Sequence, residues 1–128
     1  MILTDTSVLI DYLRGKDPKL VLDLPTRPVA VCGVVRAEIL YGQKSAEQRT
    51  REVAVLDTFL QLPIPDSIWD RVGDNLATLR AGGVTVQLPD VVIATLAIVS
   101  NVELWARDHH YTLIRQVLPA LRLFAEPP

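Results

Sequence analysis

The chain has 128 residues, 49% hydrophobic and 22% charged, which is typical of one globular domain with its own core. Its single cysteine, Cys32, excludes an intrachain disulfide, and we expect it to lie buried at a strand end. The formal net charge of −2 is not that of a basic, non-specific nucleic-acid binder, although setting aside four carboxylates for a metal site would leave the remainder slightly positive.

The predicted elements alternate between strands and helices. In chain order, we predict a strand over residues 1–4, a helix over 8–14, a strand over 29–32, helices over 34–43, 46–61, 67–81 and 90–99, and strands over 102–106 and 121–124, with a helix between the last two. Gly15 and the Gly82-Gly83 pair supply helix ends, and Asp66 is a predicted N-cap. We expect one domain over residues 1–128, with 126–128 as a frayed tail.

This alternation predicts an α/β fold, in which a short parallel sheet is sandwiched by helices. Ligands of such folds bind beyond the carboxyl ends of the strands. The start of the chain lacks the charged and apolar pattern of a signal peptide, and the apolar helix over residues 90–99 is much shorter than the ~20 residues that span a bilayer. We therefore expect a cytoplasmic protein without a membrane partner.

Four acidic residues stand where such a crevice would form. Asp5 directly follows the first strand, and Asp108 comes two residues after the predicted end of a later one. Asp90 opens an otherwise apolar helix, and Glu38 lies among apolar neighbours in another, where a carboxylate is expensive to desolvate unless it is paired or binds a metal. Clustered carboxylates raise one another's pKa, and a divalent cation neutralises them. Such hard oxygen ligands suit Mg²⁺ or Mn²⁺.

Each acid also has a structural interpretation. Asp5 and Asp90 would cap their helices, and Asp108 would be a surface acid in a loop. Glu38 would face water, or pair with Arg36 or Lys44.

Other site chemistries find less support. His109 and His110 are adjacent and have no third histidine or cysteine pair beside them, which argues against a zinc site. Ser7 lacks a plausible histidine base and a nucleophile-elbow motif. No glycine-rich nucleotide-binding loop occurs.

Four motifs carry a family resemblance across nearly the whole chain. They are Leu3-Thr4-Asp5-Thr6-Ser7, Arg36-Ala37-Glu38-Ile39-Leu40-Tyr41-Gly42, Pro89-Asp90-Val91-Val92 and Arg107-Asp108-His109-His110-Tyr111. In order, spacing and total length the chain resembles the PIN-domain nucleases, in particular the VapC toxins of bacterial toxin–antitoxin systems. It departs from many members at Ala106, where they carry Thr or Ser two residues before the fourth acid.

The resemblance implies a toxin that cleaves RNA endonucleolytically with Mg²⁺, or Mn²⁺ as a substitute, through attack of metal-activated water on a phosphodiester. Asp5, Asp90 and Glu38 would hold one or two ions, and Asp108 would complete the cluster or act through water. Ser7 would orient water or metal, a task that Thr6 could share.

The resemblance also implies partners: an RNA substrate, a cognate antitoxin and a second copy of the chain in a homodimer. Helices over residues 8–14 and 46–62 would form the groove for the antitoxin. The basic residues near the acids, which would contact RNA phosphates or simply face solvent, are Arg14, Lys16, Arg36 and Arg107.

Two other functions remain open from the residues. One is a different aspartate-based phosphotransfer enzyme, although Ser7 stands where a dehalogenase-type phosphatase needs an acid, and Leu3-Thr4 replace the acid pair of a response-regulator receiver. The other is a non-catalytic α/β binding module.

Overall fold

Four short strands form the sheet in the computed structural model, which describes residues 1–42 and 45–128. The strands are β1 (Ile2–Thr4), β2 (Val29–Val31), β3 (Leu60–Gln61) and β4 (Glu103–Trp105). Over the same ranges the helices are α1 (Thr6–Arg14), α2 (Pro18–Asp23), α3 (Gly33–Tyr41), α4 (Ala46–Leu56), α5 (Trp69–Ala81), α6 (Leu88–Ser100) and α7 (His110–Val117).

The sheet is parallel throughout, in the order β3-β2-β1-β4. Leu3 of β1 pairs with Ala30 of β2 on one side and with Leu104 of β4 on the other, so β1 is central. The chain leaves β1 toward β2 but reaches β4 only after crossing the sheet, which makes the gap between the carboxyl ends of β1 and β4 the switch point where ligands bind. The predicted α/β fold with a short parallel sheet is confirmed.

Because connections between parallel strands are right-handed in nearly all proteins, we expect the helices between β1 and β3 on one face of the sheet and α5 and α6 on the other. Helix α6 is the most apolar, and residues 91–97 are all buried, as its sequence predicts. Within it, the Thr95 hydroxyl accepts a hydrogen bond of 2.9 Å from Nδ2 of Asn75 on α5. At 13 residues α6 is still short, and no helix in the described ranges has the length and apolar character needed to cross a membrane.

Local signals explain the first helices. Asp5 caps α1 by accepting a hydrogen bond from the Ser7 N–H, and Gly15 ends the helix with a left-handed φ of 66°. Helix α2 is absent from the prediction, yet Asp17 caps it through the Leu20 N–H and Pro18 opens it. Asp followed by Pro is a typical helix start, so the sequence contains a signal that could have predicted this helix.

The predicted helix over residues 46–61 is too long. Helix α4 ends at Leu56, and Leu60 and Gln61 instead form β3, where Leu60 pairs with Ala30. Apolar side chains such as Leu60 fit a helix face and an edge strand equally well, so only the neighbouring β2 decides between them. The predicted helix over residues 34–43 is observed as α3 up to Tyr41, while Gln43 lies outside the described residues.

Two predictions at the carboxyl terminus need correction. The strand over residues 121–124 reduces to a single bridge between Leu123 and Leu104. The tail over 126–128 is not frayed at its first residue, because Glu126 accepts a hydrogen bond of 2.6 Å from Nε1 of buried Trp105. Cys32, in contrast, is buried directly after β2 as predicted, and burial raises the pKa of its thiol.

Candidate active site

All four predicted acids lie around the carboxyl edge of the sheet. Asp5 directly follows β1, and Asp108 lies in the loop after β4. Asp90 stands in the first turn of α6, and Glu38 lies in α3, which packs against both α1 and α6.

Asp5 is the most enclosed of these acids and is held by several hydrogen bonds. It is only 5% exposed. Its Oδ2 accepts hydrogen bonds from the backbone N–H (3.2 Å) and hydroxyl (2.8 Å) of Ser7. Its own backbone N–H donates to the carbonyl of Trp105 at 2.9 Å, which ties it to β4. Asp5 therefore caps α1 and also presents a fixed carboxylate at the switch point of the sheet.

Tyr111 links two of the acids. Its buried hydroxyl donates to Oδ1 of Asp5 at 2.7 Å and lies 3.3 Å from Oδ1 of Asp90. Burial, followed by the two carboxylates, raises the pKa of Tyr111 well above its usual range, so the phenol stays a donor. The predicted site did not include this residue. Its position three residues after Asp108 in the last motif, one turn before the buried Ile114, was the signal.

Asp90 is half-buried, and its surroundings oppose its negative charge. Burial raises its pKa most, the carboxylates of Asp5 and Asp108 raise it further, Glu38 adds a smaller contribution, and the bond from Tyr111 lowers it. The alternative prediction of a helix cap is wrong, because α6 begins two residues earlier. The first turn of a helix still favours a negative side chain there.

Glu38 differs from its prediction as a desolvated acid. Its side chain is exposed, and its Oε1 accepts a hydrogen bond of 2.7 Å from the hydroxyl of Thr6. The alternative pairing with Arg36 does not occur, because Arg36 lies 2.9 Å from Asp57. The other alternative partner, Lys44, is outside the described residues. Water solvates Glu38, so an apolar neighbourhood in sequence was a poor guide to its burial.

Asp108 is half-buried at the start of α7. Its Oδ1 accepts a hydrogen bond of 2.9 Å from the His110 N–H, and Nδ1 of His110 lies 3.0 Å from the same oxygen. That backbone N–H, followed in effect by the His110 side chain, holds the pKa of Asp108 below its usual range. The side-chain contacts seen for Asp108 within the described residues all go to Oδ1, and its backbone carbonyl accepts a hydrogen bond of 3.3 Å from the Tyr111 N–H.

Ser7 connects the two loops that carry Asp5 and Asp108. While its hydroxyl donates to Asp5, the same oxygen accepts a hydrogen bond of 3.2 Å from the backbone N–H of Arg107. The neighbouring Ala106 offers no hydroxyl, so Ser7 is the hydroxyl that contacts this loop.

Of the four basic residues predicted to contact RNA phosphates, two contact carboxylates of this chain and two are exposed. Arg36 pairs with Asp57, as described above. The guanidinium of Arg107 contacts the carboxylates of Asp11 (3.0 Å), Asp17 (2.8 Å) and Glu126 (2.8 Å). Arg14 and Lys16 are exposed. Arg36 and Arg107 thus have structural partners, and the prediction that they are available to RNA is not supported by their contacts.

The sequence of residues 2–116 matches the family described as PIN domain. The chain belongs to the PIN-domain family. Among its relatives, Ribonuclease VapC10 of Mycobacterium tuberculosis is 33% identical over 124 residues, which cover 93% of this chain and 92% of the relative.

Solved structures share the fold of this PIN domain. VapBC2 from Rickettsia felis, bound to a DNA fragment from its promoter, aligns with a TM-score of 0.82 at 20% identity, covering 97% of this chain and 98% of that one. FitAcB from Neisseria gonorrhoeae aligns with a TM-score of 0.78 at 18% identity, covering 98% and 97%. The PIN fold therefore extends over nearly the entire chain.

Proposed function

We propose that this PIN domain is a divalent-metal-dependent endoribonuclease and acts as the toxin of a toxin–antitoxin pair. The observation that carries the proposal is the convergence of Asp5, Asp90 and Asp108 at the switch point of the sheet. Its support from comparison is the 33% identity with Ribonuclease VapC10 over most of both chains.

The donor set fits a hard divalent cation. Asp5 and Asp90 turn oxygens toward the same Tyr111 hydroxyl, and a carboxylate oxygen of Asp90 comes within 4.8 Å of one of Asp108. Three partly desolvated negative charges at such range repel one another unless a cation or proton intervenes. Asp5, Asp90 and Asp108 would hold Mg²⁺, with Mn²⁺ as a substitute, and Glu38 would stand at the rim. When bound, the ion supplies a lowered pKa for coordinated water and positive charge for phosphoryl oxygens.

The protein's own groups fix the geometry. Tyr111 donates to Asp5 and keeps Asp90 beside it, so both carboxylates stay oriented before substrate arrives. Ser7 fixes the other oxygen of Asp5. Such preorganisation reduces the reorganisation needed as charge develops in the transition state.

The reaction is hydrolysis of an RNA phosphodiester. The water oxygen forms a bond to phosphorus while the bond to the 3′-oxygen breaks. The water proton passes to a carboxylate, and the leaving 3′-oxygen takes up a proton from solvent water to become a hydroxyl. Exposed Glu38 has the freedom to take up this proton. Arg14 at the end of α1 and Lys16 just after it are both exposed, and we propose that they contact RNA phosphates.

The test compares two aspartates in matching positions. Asp90→Asn should abolish Mn²⁺ binding in calorimetry and Mg²⁺-dependent RNA cleavage while the circular dichroism spectrum stays unchanged. The control is Asp70→Asn, an exposed aspartate in the first turn of α5, which should keep both Mn²⁺ binding and RNA cleavage. Wild-type protein free of antitoxin that binds no Mn²⁺ would refute the metal-nuclease proposal. If RNA cleavage persisted in Asp90→Asn, the assignment of this site would fail.

The antitoxin would occupy a groove of ≈ 600 Å³ between α1, α3 and α4. Ile10 and Leu13 of α1 and Val55 of α4 supply apolar walls, and Glu38 stands on the same groove, where a basic side chain could reach the acids. This placement agrees with the helices proposed from the sequence, except that α4 ends at Leu56.

Coexpression with the cognate antitoxin tests this groove. Leu13→Arg should weaken the complex in size-exclusion chromatography, whereas Leu113→Arg on α7, away from the groove, should not. An intact complex with Leu13→Arg would place the antitoxin elsewhere. We also propose the homodimer that the family resemblance implies, and light scattering of the isolated chain tests it separately.

A further inference from the structure

Two histidines stand beside the carboxylates of the site. The rings of His109 and His110 lie 4.5 Å apart between centroids, inclined by 34°. Their Nδ1 atoms are 3.7 Å and 3.0 Å from Oδ1 of Asp108. Adjacent residues can therefore approach one carboxylate, because α7 begins between them and turns the chain.

Of the two histidines, His110 also lies close to the second acid, Asp90. Ligand atoms of Asp90, Asp108 and His110 all lie within 4.8 Å of one another. They come from three separate places in the fold: the first turn of α6, the loop after β4 and the start of α7. A cation between them needs only a short inward movement of half-buried or exposed side chains.

An imidazole changes the preference of such a site. Carboxylates and water suit Mg²⁺, whereas imidazole nitrogen suits later transition ions such as Co²⁺, Ni²⁺ and Zn²⁺. Two carboxylates with one imidazole make a mixed set, in which removal of the nitrogen should affect the transition ions most.

We propose that His110 is a ligand of the divalent cation, together with Asp90 and Asp108. The inference rests on the proposed metal-dependent function and deepens it. It gives the site a nitrogen donor that the four acids lack, so the site tolerates Mg²⁺ but binds transition ions through an added bond.

Pulsed electron paramagnetic resonance of bound Mn²⁺ tests the bond directly, because a ligating imidazole gives a ¹⁴N coupling. We expect this coupling in the wild type and in His109→Gln, and its loss in His110→Gln. Calorimetry should show that His110→Gln lowers Co²⁺ affinity at least about tenfold, the equivalent of about 1.4 kcal/mol, with less than threefold change for Mg²⁺.

Three results would overturn the inference. Mn²⁺ bound to the wild type without ¹⁴N coupling leaves the nuclease proposal standing and removes His110 from the ligands. If the coupling is lost in His109→Gln but kept in His110→Gln, the ligand is His109 and not His110. Absence of Mn²⁺ binding to the wild type removes the inference and the proposed function together. Circular dichroism of both variants verifies their fold.

Discussion

At the scale of single residues, hydroxyl groups set the geometry of the acids. Ser7 and Tyr111 each hold one oxygen of buried Asp5, and Thr6 holds exposed Glu38. Neighbouring hydroxyls at positions 6 and 7 thus serve two carboxylates in different surroundings. Since a hydrogen bond to a charged group contributes more where water is excluded, their removal should have unequal effects.

We predict that Ser7→Ala impairs cleavage more than Thr6→Ala. Loss of the Ser7 hydroxyl removes one of the three hydrogen bonds to the Asp5 carboxylate and the acceptor of the Arg107 N–H. A hydrogen bond to a charged group is worth about 1.5–3 kcal/mol, or roughly 10–100-fold in rate. Water replaces the Thr6 hydroxyl at Glu38, so that variant should lose less than about tenfold. Single-turnover rates at saturating Mg²⁺ measure both. Equal losses would show that Asp5 is not positioned by Ser7.

The sequence located the acids better than it described their environments. Asp5, Asp90 and Asp108 follow from strand ends and a helix start, since parallel strands share one carboxyl edge. The exposure of Glu38 did not follow, because its solvent access depends on how α3 packs. Tyr111 and His110 were missed as site residues, since their positions relative to the acids depend on where α7 begins.

At the scale of elements, α6 combines the site with the core. Its first turn holds Asp90, and its next two turns are buried between α5 and the sheet. The pair between Asn75 and Thr95 satisfies a polar group within this contact. Strongly patterned elements such as α6 were predictable, whereas β3, two residues long, has too few residues to produce a pattern.

We predict a coupled effect at this pair on stability. Asn75→Ala leaves the buried Thr95 hydroxyl without its donor and should lower the free energy of unfolding by about 1–3 kcal/mol. Thr95→Val in the same chain should recover part of this loss, because the orphaned hydroxyl is gone. Urea denaturation of the two single variants and the double variant gives the coupling. Strict additivity would mean that the pair makes no net contribution.

At the scale of the whole molecule, Arg107 gathers distant parts of the chain. It contacts Asp11 on α1, Asp17 before α2 and Glu126 near the carboxyl terminus. Its N–H also reaches Ser7, so these contacts support the loop that carries Asp108. No local sequence pattern predicts a cluster among residues up to 115 positions apart, whereas the family resemblance covers the overall fold.

We predict that this cluster makes stability depend on pH at the acidic end. The bond from Arg107 is the main reason that the pKa values of Asp17 and Glu126 lie below their ordinary range. Carboxyls with a lowered folded pKa stabilise the protein above their unfolded pKa, and the stabilisation is lost as pH falls through the folded value. Glu126→Gln should therefore lower Tm by a few degrees at pH 7, with the difference from wild type shrinking below about pH 4.

Thermal denaturation across pH checks this prediction. The side chain of Glu126 is about one-third exposed, so screening by solvent keeps the effect near 1 kcal/mol or less. Asp74→Asn, an exposed acid on α5, is the matched control and should track the wild type. A difference for Glu126→Gln that persists undiminished at pH 3 would assign its role to packing.

The backbone bridge at Leu104 covers the outer edge of β4 and so limits pairing between copies of the chain. The Leu104 N–H donates to the carbonyl of Arg122, and its carbonyl accepts from the Phe124 N–H, both at 2.8 Å. These two bonds occupy backbone groups on the outer side of β4 that would otherwise template a strand from another molecule. On the opposite side, β3 is only two residues long and offers little to pair with. The carboxyl-terminal segment thus also protects the edge of β4 from aggregation. We expect chains that lack this segment to aggregate more readily through that edge.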